Sequence, residues 1–187
     1  MTIDDRLIFL RGRFVALKVL DEGDIQSSNW VGWFNDEERC LESSHHYWPN
    51  SFKLQENYLM KSSNDSGIHL GIVNLSDSLN ICGVISLSQI DLIHRRAEIG
   101  ITLDAKVSSK PEIFCESFIL ILKHGFNELG LSKIYGGSLR KETPLVLNKL
   151  FNFEIEGILK NHNYKNGKFL DVTRFAVFSN TVKYPNI

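Results

Sequence analysis

The sequence predicts one α+β (mixed α/β) domain built on a central, mostly antiparallel sheet. Three observations predict it. Apolar and β-branched runs bounded by turn residues recur along the chain. One long amphipathic helix lies past the midpoint. Short polar links join successive strands, which favours antiparallel neighbours. The 187 residues suit a single domain, so positions 1–187 are read as one unit.

The first expected strand covers residues 13–20, rich in β-branched and apolar side chains. Asp21 to Asp24 offer turn and N-cap chemistry for a helix running to about residue 38. Within it Trp30, Trp33 and Phe34 share a face by their i, i+3, i+4 spacing. A second helix is expected over 52–62, then a polar loop over 63–67. Strands at 69–75, 80–90 and 94–103 form an antiparallel meander. In the last of these Ala97, Ile99, Ile101 and Leu103 alternate with Glu98, Gly100 and Thr102, which puts Glu98 opposite the aliphatic row.

A polar connection at 106–110 leads to Pro111, placed as a first helical residue. Phe114, Phe118, Ile121, Leu122, Gly125, Phe126 and Leu129 then form a wide core-facing stripe, and Gly130 stops the helix as a C′ glycine. A strand at 131–139 and a short helix at 144–152 follow. Strands at 153–164 and 169–179 flank Asn166-Gly167, the strongest short-range hairpin signal.

Lys+Arg 21 against Asp+Glu 22 gives a formal charge of −1, which excludes a polybasic nucleic-acid binder. The longest apolar run, residues 118–122, falls far short of the roughly 20 residues of a membrane span. Asp4, Asp5 and arginines 6, 11 and 13 break up any signal-like apolar segment. Cys40, Cys82 and Cys115 form no CxxC pair, so neither a disulfide framework nor a metal site is expected, and a reducing cytoplasm fits.

Several phrases carry a family likeness: LRGRFVAL at 10–17, WFNDE at 33–37, AEIGI at 97–101, KHGFNELGL at 123–131, and Glu156-Gly157 ahead of Asp171. In this order they resemble the GNAT superfamily of N-acetyltransferases over residues 9–180, nearest to ribosomal-protein N-terminal and amino-sugar acetyltransferases. The resemblance implies a twisted sheet of about seven strands, splayed between the fourth and fifth, with about four flanking helices. It implies acetyl-CoA as acyl donor and direct attack by a primary amine in a ternary complex. The acceptor would be a small amine such as an amino sugar, or a protein N-terminus. No nucleic acid, membrane or metal is expected to take part, and a homodimer is the assembly to look for.

By the same resemblance Ile101, Thr102 and Leu103 would pair with the pantetheine arm. The pyrophosphate would meet Ser108, Ser109, Lys110, Glu112, Ile113 and Phe114, with Lys106 nearby. Here the sequence departs from the family pattern. Ser109 stands for the basic residue, Glu112 for the central glycine and Phe114 for the final small residue. Glu112 brings a carboxylate, and Pro111 deletes an N–H donor. Lys141, Pro144 and Asn148 fall where relatives carry Asn, Ser and a proton-donating Tyr, and Asn148 is no general acid at neutral pH.

Glu98 is the remaining catalytic candidate, as the base that takes a proton from the acceptor ammonium. The alternative is that Glu98 pairs structurally with Arg95 or Arg96. Trp33, His45, His46 and His162 are the acceptor-contact candidates, weighed against core packing for Trp33 and solvated surface for the histidines. Asp171 is placed opposite His162 across the last hairpin. The rival to an enzyme is a GNAT-fold binding module with impaired catalysis.

Overall fold

The computed structural model describes residues 4–41, 43, 45–64, 67–76, 80–107 and 110–187. The described residues form an eight-stranded sheet in the order β1-β2-β3-β4-β5-β6-β8-β7. The strands are β1 (Ile8–Arg11), β2 (Val15–Val19), β3 (Ile68–Asn74), β4 (Ile81–Asp91), β5 (Arg96–Leu103), β6 (Lys133–Ser138), β7 (Glu154–Lys165) and β8 (Lys168–Phe178). Every neighbouring pair is antiparallel except β5 with β6. The strand β1 adds one to the seven expected. It pairs with β2 across a tight turn at Gly12–Phe14, too short an apolar stretch to stand out in the sequence.

Among the described residues six α-helices appear rather than four: α1 (Glu22–Ser27), α2 (Trp30–Trp33), α3 (Glu37–Cys40), α4 (Phe52–Asn64), α5 (Pro111–Lys123) and α6 (Glu142–Phe151). The continuous helix expected up to residue 38 is three short pieces. Ser28 ends the first, its Oγ donating to the Asp24 carbonyl at 2.6 Å and accepting from Trp30 N at 3.2 Å. Asp36 restarts the chain by accepting from Arg39 N. Polar side chains that bond their own backbone compete with the helix at both breaks. Pro111 does open α5, and a π-helical turn (His124–Glu128) follows before Gly130 at φ 64°. Asn166 and Gly167 both have φ > 0, as a type I′ hairpin turn requires.

The two sheet faces carry separate cores. Ala97, Ile99 and the aliphatic rows of β2, β3 and β4 meet α5 through Ile113, Phe118, Ile121 and Leu122. The Phe118 ring stacks on Phe151 at 5.3 Å and meets Phe153 edge-on at 6.4 Å, which ties α5 to the start of the last hairpin. On the opposite face Ile25, Trp30 and Trp33 pack on Val73, Ile81 and Val84.

One side chain joins α5 to the first hairpin. Glu116 is buried, and its carboxylate accepts from the backbone N–H groups of Arg13 (2.7 Å), Phe14 (2.6 Å) and Val15 (2.8 Å). A Cβ on Gly12 would lie 2.3 Å from Glu116 Cδ, so the turn is glycine for want of space.

Candidate functional site

Strands β5 and β6 pair only at Arg96, Ala97 and Glu98, opposite Lys133, Ile134 and Tyr135. Beyond Glu98 the two strands part, while β5 stays paired to β4 as far as Leu103. The splay lies between the fifth and sixth strands, the expected pair once β1 is counted. Backbone polar groups of 99–103 that face away from β4 are left without a ladder partner among the described residues.

On the face opposite α5 the sheet opens into a cavity of about 510 Å³. Its floor is Val84 and Ser86 of β4 with Gly100, Ile101 and Thr102 of β5. Gln55 and Tyr58 of α4 form one wall, and Phe34, His45, His46 and Trp48 another. Ser86 faces Gly100 directly across the two strands, and a Cβ on Gly100 would meet Ser86 Oγ at 3.2 Å.

The expected site residues fall in different places. Ile101 and Thr102 border the cavity, and Leu103 ends the splayed strand. His45 and His46 line the cavity as proposed for acceptor contacts. His46 adopts φ 65° and its Nδ1 lies 3.2 Å from the Phe34 carbonyl. The His45 ring packs on Phe34 at 4.5 Å. Burial, and behind it the Lys165 ammonium, hold the His45 imidazole below its usual value.

Trp33 is a correction. It is 1 % exposed, and its indole Nε1 donates to Asp104 Oδ2 at 2.7 Å just past β5. It is a core residue that fixes the end of the splayed strand, and it does not line the cavity. His162 lies exposed on β7 and is not among the residues that line the cavity. Asp171 does not partner it. A register shift between Leu159 and Asn163 brings Asp171 instead to Lys160 Nζ (2.8 Å) and Asn161 N (2.9 Å).

Glu98 lies on the cavity side of β5, two residues before Gly100. Its Oε1 accepts from Arg174 Nη1 at 2.9 Å and its Oε2 from Gln89 Nε2 at 3.0 Å, and Arg174 in turn covers the Tyr135 ring. Asn148 donates to the Phe153 carbonyl at 2.7 Å and so closes the end of α6. Ser108 and Ser109 lie outside the described residues. Lys110 is the N-cap residue of α5, Glu112 stands in its first turn, Ile113 is buried, and the Phe114 ring lies 4.7 Å from Phe118. The Phe114 ring packs against the core.

Sequence reasoning missed three residues of the site. Lys165, at the tip of the last hairpin, is 6 % exposed, and its Nζ donates to the carbonyls of Cys40, Ser43 (2.9 Å) and His45 (2.8 Å). It clips the chain segment that carries His45 and His46. Gln55 and Tyr58 share a face of α4 by their i, i+3 spacing, the one signal of them in the sequence. All three cysteines are buried, and burial pushes the Cys82 thiol up to about 11 and Cys115 upward, so neither of these offers a thiolate for a covalent acyl intermediate.

The sequence matches no family model and no curated protein. Solved structures do match. Spermidine N-acetyltransferase from Vibrio cholerae, in complex with CoA and spermine, superimposes with TM-score 0.76 at 23 % identity, over 89 % of this chain and 96 % of its own. The ribosomal L7/L12 α-N-protein acetyltransferase RimL gives TM-score 0.73 at 18 % identity, over 90 % and 94 %. This is the GNAT acetyltransferase fold. The parting of β5 from β6 after Glu98 and the cavity lined by Gly100, Ile101 and Thr102 share the C-terminal half of β5.

Proposed function

We propose that the chain is an acetyl-CoA-dependent N-acetyltransferase acting on a primary amine. One observation carries the reading: a strand whose free backbone edge borders a cavity of about 510 Å³. The free edge of Ile101, Thr102 and Leu103 suits an extended pantetheine, which would add to β5 as a strand does. Acetyl-CoA would supply the activated acyl group, and the cavity would take the amine. The structural neighbours support amine acetylation, since they include spermidine N-acetyltransferases and a ribosomal L7/L12 α-N-protein acetyltransferase.

Direct attack requires the amine to lose its proton near the splay. Glu98 holds that place in the reading, on the cavity side of β5 one strand repeat, about 6.6 Å, from Gly100. Each of its oxygens accepts one bond from a neighbour and keeps a further lone pair, so proton uptake would run through a water. A second reading, a GNAT-fold module that binds without catalysis, is favoured by the engagement of Glu98 with Arg174 and by the structural use of Asn148.

Calorimetric titration with acetyl-CoA and a thiol-release assay over amines separate the two. The enzyme reading expects saturable binding and turnover, with Glu98→Gln lowering turnover by about 10²-fold at unchanged acetyl-CoA affinity. Binding without turnover of any amine establishes the module. Neither heat nor thermal shift at millimolar acetyl-CoA overturns both.

A further inference from the structure

Gln55 is 4 % exposed and belongs to the cavity wall. Its amide orientation follows from a chain of bonds. Asn50 Oδ1 accepts from Ser51 N at 3.0 Å, and Asn50 Nδ2 donates to the Val31 carbonyl at 3.4 Å. The backbone partners therefore fix which end of Asn50 is nitrogen. That nitrogen also donates to Gln55 Oε1 at 3.0 Å, so the oxygen of Gln55 is spoken for. Gln55 Nε2 has no hydrogen-bond partner among the described residues, yet it is not among the fully enclosed unpaired atoms. Gln55 lines the cavity, and its two N–H donors are what the side chain has left to offer there.

A buried donor pair needs an acceptor oxygen when the cavity fills, or its desolvation is uncompensated. An aliphatic polyamine is poorly suited, because its protonated nitrogens are themselves only donors. The rest of the lining asks for an apolar surface, since Phe34, Trp48 and Tyr58 border the same space. The Tyr58 hydroxyl, 2.8 Å from His69 Nδ1, adds a polar point at the rim. A pyranose ring offers both features: C–H faces for the aromatic rings and a rim of hydroxyl oxygens for N–H donors.

We propose that Gln55 selects the acceptor, and that the acceptor is an amine borne on a hydroxylated ring, an amino sugar. The proposal rests on the acetyl-transfer reading above. The sugar ammonium gives one proton to water, the C–N bond forms, the thioester C–S bond breaks, and a second nitrogen proton ends on the CoA sulfur.

The test compares kcat/KM for glucosamine, spermidine and a tripeptide amide with acetyl-CoA. Glucosamine is expected to lead by about tenfold or more. Gln55→Glu keeps an oxygen for Asn50 and removes both donors. It is expected to lower kcat/KM for glucosamine by about thirtyfold, mainly through KM, and to narrow the gap to spermidine. Gln55→Leu gives the same glucosamine loss without a new charge, and calorimetric acetyl-CoA affinity stays unchanged in both. A wild type that prefers spermidine or the peptide overturns the proposal alone, as do Gln55 variants within threefold of wild type on glucosamine. A wild type that acetylates no amine overturns the acetyl-transfer reading and this proposal together.

Discussion

Glu112 stands in the first turn of α5, where the helix dipole favours an anion and where an incoming phosphate would meet a like charge. An empty helix gains from this carboxylate, and a loaded one loses. Glu112→Gly is expected to tighten coenzyme A binding about two- to fivefold, since the repulsion is worth about 0.3–1 kcal/mol at an exposed helix end. The gain should shrink in high salt, which calorimetry at two ionic strengths would show. Weaker binding by the variant would place Glu112 away from the phosphates. Trp33 teaches the complementary lesson. Its spacing with Trp30 and Phe34 marks a shared face, and only the bond to Asp104 reveals that this face braces the end of β5.

Among the elements, α5 is the one whose stripe fills the main core. Glu116 fastens it to the turn between β1 and β2. Removing the carboxylate leaves three backbone donors without their acceptor. Glu116→Ala is therefore expected to cost about 3 kcal/mol or more, a fall of roughly 6–12 °C in Tm for a chain of this size. A thermal melt unchanged within 2 °C (about 0.5–1 kcal/mol) would show that water replaces the carboxylate without loss. The last hairpin is fastened from its tip, by Lys165 on the carbonyls of the His45 segment. Lys165 lies more than a hundred positions from the segment it holds, so the wall of the cavity forms only when the sheet is complete.

For the whole molecule, the net charge of −1 leaves stability to local titrations rather than to overall repulsion. His45 and His124 are both held below the usual histidine value, first by burial, against which Glu128 pulls His124 upward. A depressed imidazole binds its proton more tightly in the unfolded chain. Stability from these groups is thus fully present above about pH 6.5 and falls as the pH drops below it. Thermal melts should be flat from about pH 8 to 7 and decline between about 6.5 and 5.5. The double variant His45→Gln, His124→Gln should flatten that decline. An equal slope in the variant would assign the loss to other groups.

Local chemistry determined much of this protein from the sequence alone. The period-two rows of β5, the stripe of α5 with Pro111 before it and Gly130 after it, and the Asn166-Gly167 turn are short-range patterns. They gave the fold class, while the family likeness came from phrases such as AEIGI at 97–101 and in turn implied the splay. The cavity belongs to the tertiary structure. Gln55 is an unremarkable helix residue until Asn50 takes its oxygen, and Glu98 is a free carboxylate until Arg174 arrives from β8. Lys165 reads as a hairpin lysine until three carbonyls surround it. Sequence periodicity reports which face of an element is apolar. It carries no record of which distant polar group will satisfy a buried donor or acceptor, because that pairing exists only after the chain has closed.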